Sequence, residues 1–316
     1  VRALLRNVHE DVIARFYGCG SPVPPAVGGM TTLDLGCGTG RDTYVLAQLV
    51  GPTGTAIGLD MTPEQLAVAR RTEAWHAARF GFSAPNTRFL DGAIEDLRAA
   101  GVADGSVDVA VSNCVLNLLA DKAAGFREIA RVLKPGGELY FSDVYADRRM
   151  PPALRADRVL WGECLSGALY TGDAARLLRD AGFGAVWTVT RRVMDVSDAA
   201  IAAATRGITF TSVTLRAIKV APVDDAPEDY GQTATYNGSI DGAPHAFVAG
   251  AGAVFITDVP TPVDGNTAVA LAASRYAPAF RITPRGDHRG AFAAAPAPYF
   301  IGSNGGGSAA GGGGCC

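Results

Sequence analysis

Two sets of residues in this chain are of types that do chemistry. The first is six cysteines, at positions 19, 37, 114, 164, 315 and 316. None of them forms a Cys-x-x-Cys pair and no histidine lies near enough to complete a zinc site. Two uses of the thiol remain: a buried apolar filler or, once ionised, a nucleophile or ligand for a soft centre. Cysteine is among the most buried residue types, so each one taken alone is more often filler than ligand. The second set is the segment Leu33-Asp34-Leu35-Gly36-Cys37-Gly38-Thr39-Gly40, with Asp60 closing the next strand-like run. Gly36 permits a tight turn, Gly38 lets a ligand lie on the backbone, and Gly40 allows a helix to pack closely on a sheet. The spacing is G-x-G-x-G, one residue short of the nicotinamide dehydrogenase pattern, and Asp34 suits a cationic or amino-bearing ligand better than a pyrophosphate. At the end of a neighbouring strand, the Asp60 carboxylate can accept hydrogen bonds from both hydroxyls of a ribose. A glycine-rich turn without a ligand is the plainer alternative. His9, His76, His245 and His288 are scattered and read as surface or internally satisfied residues.

The elements that must hold these residues alternate along the first half of the chain. Strand-like runs at Thr31 to Leu35, Thr55 to Leu59, Thr87 to Leu90, Val107 to Ser112 and Glu138 to Asp143 are separated by helical runs at Thr43 to Val50, Pro63 to Phe80 and Lys122 to Val132. Such alternation implies a doubly wound α/β sheet of parallel strands, whose ligands bind at the carboxyl ends. Cys114 falls just past the fourth of those ends. Ahead of the sheet, Val1 to Phe16 has helical spacing, broken by Pro22, Pro24 and Pro25, and Cys19 sits between glycines on an expected exposed turn. Residues 144 to 183 look helical and contain Cys164, while Ala185 to Val193 and Thr209 to Val220 read as an antiparallel strand pair. Pro222 to Pro227 reads as an acidic linker. Strand candidates at Gln232 to Tyr236 and Ala253 to Ile256, with a helix at Asn266 to Tyr276, indicate a small α+β domain, and Gly302 to Cys316 reads as a flexible tail. The expected boundaries are 1–145, 146–221, 222–300 and 301–316.

Composition narrows the function classes. At roughly 100 to 200 residues per domain, 316 residues make two domains or at most three. Hydrophobic content of 48%, with 28 basic against 31 acidic residues, fits neither a disordered chain nor a nucleic-acid binder. No apolar run approaches the roughly 18 to 20 residues of a membrane span, and the first twenty residues lack a signal-peptide stretch, so a soluble cytoplasmic protein is expected. The chain opens on Val1 rather than Met, which leaves room for residues upstream.

The glycine loop, Asp60 and the alternating pattern resemble the class I S-adenosylmethionine-dependent methyltransferases. The resemblance implies that Asp34, Gly36, Gly38, Gly40 and Asp60 hold the methionine and ribose, that Met61, Ile94 and Glu95 flank the adenine, and that Asn113 belongs to the same cofactor site. It then narrows. FYGCG at 16–20, LDLGCGTGRD at 33–42, SNCVLNL at 112–118, GGELYFSDVY at 136–145 and LWGECLSGALY at 160–170 resemble the arsenite methyltransferase family. The similarity continues through Asp229-Tyr230-Gly231-Gln232 and Val263 to Ala268.

What this implies is a mostly parallel seven-stranded methyltransferase sheet, an inserted helical substrate-binding region and a small C-terminal α+β domain. Cys114 and Cys164 then ligate trivalent arsenic, and Cys19 supplies a third thiolate or the redox thiol of a disulfide cycle. Trivalent arsenic is thiophilic and keeps a lone pair that can attack a sulfonium methyl, so thiols stand where an O-methyltransferase would need a base. The implied partners are arsenite and methylated arsenicals and a thiol reductant of glutathione or thioredoxin type, with no nucleic acid or membrane and a monomer as the working expectation. Arsenic detoxification is the implied role. Cys37 stays a filler; Cys315 and Cys316 are left open between resolving thiols and a functionless end. The family commonly carries a further cysteine upstream of FYGCG, and none precedes Cys19 here. Two rivals remain: methylation of an organic small molecule such as a sterol or quinone, and a non-enzymatic arsenic-binding protein.

Overall fold

The computed structural model describes residues 1–15 and 22–293. The chain divides into two compact units, Val1–Asp143 and Val144–Cys316.

The first unit is built on β1 (Thr31–Leu35), β2 (Thr55–Asp60), β3 (Thr87–Asp91), β4 (Val107–Asn113) and β5 (Leu133–Ala146), the last running across the division. Their order is β3-β2-β1-β4-β5 and every pairing is parallel. Leu33 stands beside Ile57 on one side and Ala110 on the other. Leu33, Leu35, Leu59, Val109 and Val111 are fully buried, the all-round burial that continuous apolar runs predict when helices cover both faces. Sequence order reverses at β1, whose neighbours are β2 and β4, so the crevice beyond the ends of β1 and β4 is the ligand-binding position of this fold. The helix Arg41–Val50 leaves β1 through Gly40, and Lys122–Val132 forms over the residues expected. This is the mostly parallel, doubly wound sheet that the sequence implies.

Two helical runs are shorter than their apolar spacing suggests. Among the described residues of the first run, 1–15, the helices are the single turns Arg2–Leu5 and Glu10–Ile13, the second capped by the His9 side chain on the Asp11 N–H at 3.2 Å. Pro63 to Phe80 is split into Pro63–Arg71 and Glu73–Phe80 at Thr72, whose Oγ1 donates to Ala69 O at 2.9 Å. A threonine hydroxyl that bonds the preceding turn bends a helix without disturbing its apolar periodicity. The joint is completed by His76. Its Nδ1 lies 2.8 Å from Thr72 O, its Nε2 accepts the His9 N–H at 3.1 Å, and its ring stacks on Tyr44 at 3.4 Å.

The second unit is more strand-rich than expected. Residues 144 to 183 hold the end of β5, the short helices Pro152–Arg155 and Arg158–Gly162, β6 (Leu169–Tyr170) and the helix Thr171–Asp180. Pro151 and Pro152 and the glycines at 162 and 167 punctuate this stretch and keep its helices short. β7 (Ala185–Val193) and β8 (Phe210–Ile218) form the expected antiparallel pair, with a register shift between Thr188 and Thr190. Beyond them lie β9 (Gln232–Tyr236), the hairpin β10 (Ala246–Gly250) and β11 (Ala253–Ile256), β12 (Thr261–Val263) and β13 (Phe280–Ile282). β9 is the centre of the three-stranded sheet, flanked by β12 and β13. The helix Gly265–Ala273 is capped by Asp264, whose carboxylate accepts from the Asn266 and Thr267 N–H groups at 3.0 and 3.1 Å. Tyr236, Phe247, Phe255, Tyr276 and Phe280 pack its core edge to face or tilted, centroids 4.8 to 5.9 Å apart.

Candidate functional site

At the end of β1 the chain turns through Gly36, Gly38 and Gly40, with φ of +72°, +54° and +89°, in the region that favours glycine. Their roles differ. A Cβ on Gly36 would stand 2.6 Å from both methyls of Val115, and one on Gly40 would stand 2.9 Å from the Phe89 ring. Those two glycines therefore let the loop close against the turn after β4 and against β3. At Gly38 nothing lies within 4 Å of the Cβ position, so the loop presents bare backbone to open space there. Asp60, at the end of β2, braces this loop: Oδ2 accepts the Gly38 N–H at 2.8 Å and Oδ1 the Thr62 N–H at 2.9 Å.

Behind the loop is a buried polar cluster around Asp34 and Asp42. Asp34 is 3% exposed and accepts from Thr43 Oγ1 at 2.7 Å. Asp42, 8% exposed in the first turn of the helix, pairs with Arg41 at 2.7 Å and accepts from Asn113 Nδ2 at 3.2 Å. The helix after the glycine loop is thus tied to the last residue of β4. The signal for Asp42 was present in the run Gly40-Arg41-Asp42, where an acidic residue opens a helix at a strand end. Burial, and then the Asp42 charge, push Asp34 up to about 7. Cys37 is a buried thiol in the core cluster, held well above its ordinary range by burial and by the Asp34 and Asp60 charges, which makes it the filler expected.

The remaining cofactor candidates lie on two segments. Met61, which follows Asp60, is 74% exposed; Ile94 is 5% exposed; and Glu95 Oε1 accepts the Ala120 N–H at 3.0 Å. Whether the chain fits S-adenosylmethionine is a matter of open backbone and spare polar atoms. Gly38 offers the first, and Ser112 Oγ, beside Leu35 at the same strand end, is buried with no hydrogen-bond partner. With a carboxylate on each of β1 and β2, the donor set fits a cationic nucleoside.

Cys114 follows Asn113 with φ +60° and Cys164 has φ +59°, both in the left-handed region that β-carbon-bearing residues rarely enter. Such strain persists where surrounding structure enforces it, often at functional sites. The Cys114 N–H donates to Ser142 O at 2.8 Å and the Cys164 N–H to Trp161 O at 3.0 Å. Cys114 is 6% exposed and Cys164 half-buried. Cys114 is disulfide-bonded, whereas Cys37 and Cys164 are reduced thiols. A sulfur in that state has no lone thiolate to give, so its use as a ligand requires reduction first. Cys19, Cys315 and Cys316 lie outside the described residues, and among the described residues no three His, Cys, Asp or Glu side chains gather as a metal site. No helix among them is long and apolar enough to cross a membrane.

Residues 26–182 match the family model for a methyltransferase domain, and residues 230–298 that for the arsenite methyltransferase C-terminal domain. An arsenite methyltransferase of Aquipseudomonas alcaligenes is 50% identical over 281 residues, covering 89% of this chain and 81% of that protein. One from Homo sapiens is 42% identical over 287 residues, covering 91% and 76%. The crystal structure of an arsenic(III) S-adenosylmethionine methyltransferase from Chlamydomonas reinhardtii is 44% identical and superposes with a TM-score of 0.88, covering 92% of this chain and 98% of that one.

Proposed function

The chain belongs to the arsenite methyltransferase family, and we propose that, in its S-adenosylmethionine-dependent methylation of trivalent arsenic, the thiolates of Cys114, Cys164 and Cys19 hold the metalloid. When bound, S-adenosylmethionine would supply an electrophilic sulfonium methyl for transfer to the arsenic lone pair, the S–CH3 bond breaking and the cofactor leaving as its neutral thioether. The chain's own contribution is binding and placement. Gly36, Gly38 and Gly40 offer backbone to the methionine and ribose, Asp60 accepts from the ribose, Asp34 faces the positive charge, and Met61, Ile94, Glu95 and Asn113 complete the cofactor's surroundings. No general base is needed, because three-coordinate arsenic already carries its electron pair.

One observation carries this reading. Cys114 is flanked by Asn113, bonded to Asp42 of the helix after the loop, and by Val115, packed against Gly36, so a cysteine sulfur sits on the turn that abuts the glycine cradle. The disulfide state of Cys114 supports the expected thiol reductant, of glutathione or thioredoxin type. Two electrons and two protons from that reductant cleave the S–S bond and give the thiol whose ionised form ligates. Clearance of arsenic from the cytoplasm, with arsenite and methylated arsenicals as substrates, is the role that fits.

The test is arsenic speciation after incubating protein, S-adenosylmethionine, thiol and arsenite, with Cys114→Ser and Cys164→Ser in parallel. A hard hydroxyl does not replace a soft thiolate, so each variant should lose methylation of inorganic arsenite while melting, with the disulfide reduced by the thiol, near the temperature of the equally reduced wild type. Normal turnover by either variant would remove that thiol from the site.

A further inference from the structure

The acidic cluster behind the glycine loop contains more carboxylate than local cation. Asp42 is provided for: Arg41 Nε donates to Oδ1 at 2.8 Å, Asn113 Nδ2 donates to Oδ2 at 3.2 Å, and the residue lies in the first turn of a helix. Its charge is held. Asp34 receives the Thr43 hydroxyl at 2.7 Å and, among the described residues, forms no ion pair. It is 3% exposed at the end of β1. The other titratable groups that act on this corner are Cys37, neutral because burial and the nearby carboxylates raise its thiol, and Asp60, whose charge acts on Cys37. Among the described residues, two buried carboxylates thus share one guanidinium, that of Arg41.

Resting on the reading that the glycine loop is the S-adenosylmethionine site, we propose that Asp34 and Asp42 retain one proton between them in the free protein, and that the cationic cofactor displaces it on binding. The proton sits on Asp34, the member without a cation, consistent with burial and the Asp42 charge driving that carboxyl to about 7 while the weaker pull of Thr43 and Arg41 opposes them. S-adenosylmethionine carries a sulfonium and an ammonium against one carboxylate. As it enters, the Asp34 carboxylic acid loses its proton to solvent and the carboxylate faces the incoming charge; no covalent bond to the ligand forms. Cofactor capture is therefore an exchange of one cation for another. Apparent affinity should fall about tenfold for each pH unit below about 7 and level off above it.

Titration calorimetry of the wild-type protein with S-adenosylmethionine, in buffers of differing ionisation enthalpy, counts the protons directly. At about pH 6 the release should approach one proton per cofactor, about 0.9, and it should shrink as pH rises past 7. Asp42→Asn leaves the burial that raises Asp34 but removes the second cause, the Asp42 charge, so its release at pH 6 should fall below the wild-type value whatever happens to its affinity. Asp34→Asn should bind more weakly and with no release. Proton-neutral binding of the wild-type protein at pH 6 would overturn the proposal and leave the cofactor site standing. Absence of binding at any pH would overturn the reading of the site itself.

Discussion

Lowering the pH should loosen the first unit through His76. The ring is 1% exposed, and burial, aided by His9, lowers its pKa from 6.5 to about 4 against a weaker opposing pull from Thr72 O. Because Nε2 accepts the His9 N–H, a proton there breaks that bond and sets two donors face to face. Between about 4 and 6.5 the unfolded chain binds the proton that the folded chain refuses. Stability from His76 is therefore whole above about 6.5, declines as pH falls, and is gone below about 4. The full shift corresponds to about 3 kcal/mol, and the part lost between about pH 8 and pH 5 to about 2 kcal/mol. His76→Gln keeps a donor and an acceptor but does not titrate. Urea unfolding of both proteins, followed by circular dichroism across that range, should show the wild-type advantage shrinking by about 2 kcal/mol toward acid. Asp34, whose raised pKa acts with the opposite sign, is present in both and cancels in the difference. Parallel stability curves would refute the argument, since they would mean that His76 accepts a proton without losing its bonds.

Three further outcomes test the site. Asp60→Ala removes the acceptor for the Gly38 N–H and for a ribose, and should weaken S-adenosylmethionine about tenfold or more by calorimetry while leaving arsenite binding largely intact. Gly36→Ala forces a methyl to 2.6 Å from Val115 at φ +72° and should cost about 2 to 4 kcal/mol in urea unfolding; adding Val115→Ala should recover the steric part but not the backbone part. Cys164→Gly should melt above Cys164→Ala by the equivalent of about 1 kcal/mol, because only glycine occupies φ +59° without strain; equal melting temperatures would mean that the turn relaxes.

Strands buried on both faces announced themselves. β1 and β4 were legible as continuous apolar runs, and β7, β9 and β11 matched residue for residue or nearly so, because β-branched and aromatic clusters between turn residues leave few alternatives. β12 and β13 were missed because three residues are too few for a period to emerge, and β10 and the helix Ala199–Ala204 were missed as well, both being alanine-containing segments without a run of β-branched residues or an apolar–polar alternation. Residues 144 to 183 looked helical because apolar spacing persists through single turns that proline and glycine keep from joining. In the site, the glycines and Asp60 were readable because backbone clearance and strand ends have sequence signatures. Asp42 had a signal, an acidic residue opening a helix at a strand end, but its bond from Asn113 did not, and Ser112 and Val115 had none, since their parts depend on which loops meet in space: an unpartnered hydroxyl and a methyl filling a missing Cβ. The oxidation state of Cys114 has no sequence signature at all.

The contact between Gly36 and Val115 also limits how this protein can change. Seventy-nine positions apart in the chain, the two occupy one small volume, which the valine fills only because the glycine leaves it vacant. Neither can be altered as a single step without a penalty: a side chain at 36 collides, and a smaller residue at 115 opens a void under the loop. The thiol-bearing turn at 112–118 and the glycine loop are consequently one heritable module. A segment exchange that brings a new turn from another methyltransferase must bring the loop that fits it, and a library varying either alone will return mostly unstable proteins.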